Sequence, residues 1–269
     1  MTATTTDTTT GTTATRSTTP AARFGRAFAA HLRSESRLLG RDGAALIFGA
    51  VLPLAAIIVM SAIPAAREPQ ADFGGLSVLR TYQPVIVLFA TSVLGLTIVP
   101  AILGGYRQAG ILRRLRTTPA SPATLLAALF VVVFGVGLLV SALIVAIPAL
   151  VGVGLPDHLG WFALAGVLTL LAFLALGTVL AAVVPSPQVA AGLGNVVAAL
   201  MWFSAGLWLP RQFFPDWLVT LTNLIPGGAA ATAMTDATLG VQPSWQPFVV
   251  LVAWTVLGAL VAVRTFRWE

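Results

Sequence analysis

His31 and Glu35 stand one helical turn apart, a spacing at which an imidazole and a carboxylate can exchange a proton or begin a metal site. One histidine and one glutamate are too few ligands to hold a metal, so a local pair, or snorkelling toward an interface, accounts for them. Elsewhere the acids Asp42, Glu68, Asp72, Asp157, Asp216 and Asp236 are scattered singly, and neither His31 nor His158 has a plausible serine partner. Intramembrane hydrolases and transferases need a nucleophile beside a base, or acidic clusters that bind metal and pyrophosphate. The chain has no cysteine, which removes thiolate chemistry and disulfides. It also has no lysine, and its fifteen basic residues are all arginine, as a G+C-rich, bacterial coding bias would produce. No catalytic site, metal, resident cofactor or nucleic-acid partner is expected.

The elements that carry these residues are set by lipid. Hydrophobic residues make up 57% of the 269 and charged residues 9%, where soluble domains carry about a quarter charged. Crossing about 30 Å of hydrocarbon takes about 20 apolar residues in one helix. Six stretches meet that length, near 44–64, 84–104, 122–152, 161–184, 189–209 and 246–264. They are continuous rather than alternating, which excludes a barrel and predicts an all-α membrane protein with six transmembrane helices.

No ionisable residue lies inside any of these six stretches, and Arg264 sits at the end of the last. Proton relays, sodium coupling and voltage sensing depend on such residues, so a channel or ion-coupled carrier is disfavoured, except one that binds ions through backbone carbonyls. The polar side chains left are few: Ser92, Thr97, Ser141, Thr178, Asn195 and Ser204. Asn195 is the most demanding, because a buried amide needs a partner. Gly192, Gly194 and Ala198 on the same stretch permit close helix approach. Together with Trp202, Phe203 and Trp208, Asn195 is a candidate substrate path, although lipid-facing aromatics fit the same pattern.

Orientation follows from arginine. Residues 1–20 are mostly threonine and predict a disordered tail, with no early apolar core for a cleaved signal. Residues 21–43 place Phe24, Ala27, Phe28, Leu32, Leu38 and Leu39 on one face and Arg23, Arg26, Arg33, Arg37 and Arg41 on the other, the pattern of an amphipathic helix at the membrane surface. Six spans then occupy 44–269. These arginines, with Arg107, Arg113, Arg114, Arg116, Arg264 and Arg267, predict that both termini are cytoplasmic. On the far side, Phe213, Phe214, Trp217, Leu218, Leu221, Leu224 and Ile225 recur at near-helical spacing and predict a connection folded back into the outer interface.

The cytoplasmic stretch Tyr106 to Pro122, YRQAGILRRLRTTPASP, sets Ile111, Leu112 and Leu115 against Arg113, Arg114 and Arg116. Such an element can lie on lipid or plug into a groove on a cytoplasmic partner. From Arg107 to Pro122 it resembles the signature of type-2 ATP-binding-cassette (ABC) exporter permeases, in which a helix ending Thr-Pro-x-Ser precedes the third span. Gln108 and Ile111 stand where that family has Glu and Thr. NLIP from Asn223 to Pro226, with Asp236 and Gly240 beyond, is similar to the region before the family's last span.

The resemblance implies a permease subunit of an ATP-driven exporter in a bacterial cytoplasmic membrane. It would pair with a second permease, identical or related, and dock two cytoplasmic ABC ATPases that carry ATP and Mg. Residues from about Phe24 to Leu39 would form the connecting helix. Arg107, Gly110, Ile111, Leu112, Arg113, Arg114, Leu115, Arg116, Thr118 and Pro119 would form the ATPase-docking coupling helix. A nucleotide-binding P-loop requires lysine, of which this chain has none, so hydrolysis is expected on another polypeptide. Cargo is open between lipophilic drugs or antibiotics and lipids. A non-transporting membrane scaffold is the alternative from a different class.

Overall fold

Apolar runs of this length must satisfy their backbone hydrogen bonds internally. The computed structural model, which describes residues 20–73, 75–111, 114 and 122–265, meets this with helices; among the described residues no strand forms, only an isolated bridge between Pro69 and Ser77. A surface helix α1 (Pro20–Leu39) leads into α2 (Gly43–Ala62), α3 (Val78–Gln108), α4 (Pro122–Leu150), α5 (Leu159–Val183) and α6 (Pro187–Ala205). Two shorter helices follow, α7 (Asp216–Thr222) and α8 (Pro226–Thr238), and then α9 (Trp245–Thr265). Helices α2 to α6 and α9 are each long and apolar enough to cross a membrane. Apart from Pro20, which opens α1, the tail expected over residues 1–20 lies outside the described residues.

The hub is α3, with 78% of its most apolar stretch buried in protein against 22–39% for the other five. It begins six residues before the expected 84–104 stretch. Ser77 caps it by accepting from the Arg80 amide at 3.2 Å, and Gln83 donates to the Ile144 carbonyl at 3.3 Å, so this polar first turn is satisfied inside protein. In its middle, Val93–Ile98 opens into a π-helical turn, as does Ile47–Val51 in α2. Two glycines reach that turn from opposite neighbours. A methyl on Gly177 of α5 would stand 1.9 Å from the Gly95 oxygen, and one on Gly194 of α6 would stand 1.8 Å from the Leu96 oxygen. Only glycine permits backbone contact at these two crossings.

Two elements depart from the sequence expectation. The fifth span stops at Ala205, where Gly206 turns left-handed at φ +87°, so Trp208 and Leu209 lie beyond the helix rather than inside a stretch to 209. The connection after it does not stay wholly at the protein surface. Phe213, Trp217, Leu221 and Leu224 are exposed, but Phe214 is buried and α8 sinks among α3, α5, α6 and α9. Its sequence PGGAAATAMTDAT has almost no large side chain, and a methyl on Gly228 would stand 2.2 Å from the Thr222 oxygen. Small residues let this helix descend where its modest hydropathy gave no sign of burial.

Candidate functional site

At the arginine-rich end of the bundle, α3 closes with Tyr106 and Arg107. The Arg107 guanidinium donates to the carbonyls of Ala181 at 3.0 Å and Ala182 at 3.5 Å, and also to that of Val184. These are last-turn carbonyls of α5, left without intrahelical partners and at the negative end of the helix dipole. Tyr106 Oη donates to Glu35 Oε2 at 2.6 Å, which ties α1 to α3. Glu35 is 3% exposed. Burial holds its carboxyl above the ordinary value, partly offset by the Tyr106 hydroxyl and by nearby His31. The acid that the sequence pairs with His31 is thus engaged chiefly by a tyrosine 71 positions away.

The residues expected to dock an ATPase divide into two groups. Arg107 is turned inward onto α5, so its charge serves a helix end. Gly110 adopts φ +64°, Ile111 is half-buried and Arg114 is exposed. Leu112, Arg113, Leu115, Arg116, Thr118 and Pro119 lie outside the described residues. What the structure adds is the anchoring just before this stretch: Tyr106 and Arg107 connect the end of α3 to α1 and α5 together.

Along the bundle, α2, α3 and α6 enclose a cleft of about 440 Å³ lined in part by Asp42, Phe48, Phe89, Thr97, Asn195 and Trp202. Asn195 and Trp202 sit seven residues apart on α6, and two helical turns bring them to one face. Thr97 Oγ1 donates to Asn195 Oδ1 at 2.8 Å, and Trp202 Nε1 donates to Ser92 Oγ at 2.7 Å. The Phe89 ring lies 4.8 Å from that of Trp202, and Trp208 meets Trp202 edge-on at 6.4 Å. Asn195 is exposed rather than enclosed. Phe203 belongs elsewhere: it stacks on Phe214 at 5.4 Å, in the connection between α6 and α7. Of the four expected path residues, Asn195 and Trp202 line the cleft, Trp208 meets only Trp202, and Phe203 lies elsewhere. Sequence reasoning missed Asp42, Phe48 and Phe89 as cleft residues. Asp42 caps α2, accepting from the Ala45 amide at 3.0 Å.

The opposite end is stitched by polar contacts. Arg80 pairs with Asp157 at 2.8 Å and donates to the Thr238 carbonyl at 2.8 Å, joining α3 to the α4–α5 loop and to α8. Arg211 donates to the Gly228 carbonyl and to Asn223 Oδ1 at 2.6 Å. Burial lowers its pKa to about 10, with Asp236 opposing, and the guanidinium stays charged at neutral pH. Among the described residues no cluster of three or more His, Cys, Asp or Glu could hold a metal. The arrangement offers a tethered arginine-rich end, an aromatic cleft and a fastened opposite end.

Comparison with known proteins agrees with this architecture. The family model described as ABC-2 type transporter matches residues 26–239, from α1 through α8. YvfS of Bacillus subtilis (strain 168), named as a transport permease, is 28% identical over 92 residues, which is 34% of this chain and 37% of that protein. The chain therefore spans little more than a third of that relative.

Proposed function

The chain belongs to the ABC-2 type transporter family, and on that premise we propose that it is the membrane permease subunit of an ATP-driven exporter. Its cargo is a lipophilic small molecule, a drug or antibiotic, or a lipid. It works in a bacterial cytoplasmic membrane with both termini cytoplasmic, beside a second permease, identical or related. Two cytoplasmic ABC ATPases bind and hydrolyse ATP with Mg; this chain binds neither. The exposed arginines Arg26, Arg33, Arg37 and Arg41 suit an inner leaflet rich in anionic headgroups.

The observation that carries this reading is the double tether at the end of α3. Residues 108–119 follow directly on Tyr106 and Arg107, which hold α1 through Glu35 and α5 through three carbonyls. A push on that stretch by a closing ATPase is transmitted to three elements at once. Because α3 is the buried hub and one wall of the Asn195–Trp202 cleft, its displacement reshapes the cleft. The chain's own residues therefore couple and guide, while the energy is supplied from outside.

The test is co-purification with the ABC ATPase expressed alongside it and measurement of ATP turnover. The native chain is expected to change that turnover severalfold, and Arg113→Glu with Arg114→Glu to abolish the change. Unaltered assembly and turnover in the double variant would sink the docking assignment, and a scaffold would bind the ATPase without affecting turnover.

A further inference from the structure

We infer that the cleft between α2, α3 and α6 selects lipophilic monocations, with the Asp42 carboxylate receiving the charge at the mouth and Phe48, Phe89 and Trp202 receiving the apolar body. This rests on the exporter reading, which leaves the charge of the cargo open.

Among the described residues that line the cleft, Asp42 is the one with a formal charge. One of its oxygens, Oδ1, caps α2 through the Ala45 amide, and the residue is exposed at the mouth, which leaves the carboxylate accessible to a ligand. Its neighbour Arg41 is exposed and does not line the cleft, and Arg33 and Arg37 of α1 are also exposed. The formal charge among the described lining residues is therefore negative. A cation entering the cleft gains a carboxylate and aromatic faces, whereas an anion of equal size meets a negative charge. A volume of about 440 Å³ is within the range that houses small organic ligands.

Position supports the same conclusion. Asp42 lies at the start of α2, on the arginine-rich side, and Phe48 follows on that helix, with Phe89 and Trp202 on α3 and α6. An amphiphile is thereby oriented, charge outward and body inward. Two larger grooves of the bundle, about 490 and 460 Å³, are lined by apolar side chains, with the hydroxyls of Thr178 and Thr255 in the first and of Ser141 in the second. They suit acyl chains and have no group that distinguishes charge.

Tetraphenylphosphonium and tetraphenylborate share shape and differ in sign, so their binding to the purified full chain in a neutral detergent tests the claim. The ratio of their affinities is compared between wild type and Asp42→Asn, which cancels partition into detergent. Asparagine caps a helix as well as aspartate, so the fold is kept while the charge is removed, and an unchanged melting midpoint verifies it. Expected is a fall of about tenfold or more in the cation-to-anion ratio on Asp42→Asn, equivalent to one pK unit of interaction. Trp202→Ala should weaken both ions. An unchanged ratio, or no binding of either ion, overturns the inference. Binding needs no ATPase, so this outcome is separate from that of the exporter reading; ATP-driven transport with an unchanged ratio would retain the exporter and refute only the charge selectivity.

Discussion

Alanine at Gly194 tests whether the hub is held by backbone contact. The added methyl would stand 1.8 Å from the Leu96 oxygen and 2.8 Å from its carbon, where real methyl contacts stay beyond 3.0 Å. Helix α6 must then retreat from the π-turn of α3 by about 1 Å, and a gap of that order forfeits about a quarter to a half of each opened van der Waals contact. Such overpacking costs about 1–3 kcal/mol, against a helix-propensity gain near 1 kcal/mol for alanine over glycine. Gly192, two residues earlier on the same helix, has nothing within 4 Å of the point an added methyl would occupy, so Gly192→Ala keeps only the gain. By thermal unfolding in one detergent, Gly194→Ala should melt roughly 4–8 °C below Gly192→Ala. The retreat also pulls Asn195 from Thr97, whose Cα lies 3.4 Å from the position of the Gly194 methyl, so cleft binding should weaken in parallel. Equal midpoints for the two variants would refute the claim that this crossing is closed on glycine.

Other substitutions probe the tethers. Arg107→Lys keeps charge but loses the fork that spans several α5 carbonyls, and should destabilise by about 1.5–3 kcal/mol in urea or thermal unfolding, more than Arg114→Lys. Glu35 is held above its unfolded pKa, so the folded state binds its proton more tightly. Its stabilising contribution is complete below about 4.5 and is lost as pH rises through the higher folded value, a dependence that melting against pH should lose in Glu35→Gln. At the end opposite Arg107, a double-mutant cycle on Arg80 and Asp157 should give about 0.2–1 kcal/mol, with Arg80→Ala the costlier single change because it also frees the Thr238 carbonyl.

Hydropathy made the six spans legible, since lipid enforces length and continuity over about twenty residues. Amphipathic spacing did the same for α1. Helix α8 was hidden because burial came through Gly and Ala packing, which leaves little hydropathic trace in thirteen residues. The first turn of α3 was hidden for a related reason: Arg80 and Gln83 look like loop residues until their partners on other helices are in place. At the candidate site, Asn195 and Trp202 declared a shared face through their spacing of seven. Asp42 and Phe89 could not be joined to them, because the crossing of α2, α3 and α6 is set by glycine contacts distant in sequence. Arg107 is the instructive case. Charge patterning marked it as basic surface, whereas its position beside an unpaired helix end makes it an internal cap.

The division of labour between this permease and an external ATPase is tested most directly in proteoliposomes holding the chain with its ATPase, the chain alone, or the ATPase alone. The quantity measured is nucleotide-driven uptake of two probes, uncharged Nile red and tetraphenylphosphonium, into vesicles whose cytoplasmic protein surfaces face the outer medium. Uptake of at least one probe only where both proteins and ATP are present is the expected result. Uptake by the chain alone under an ion gradient, or nucleotide hydrolysis by the chain alone, would contradict it.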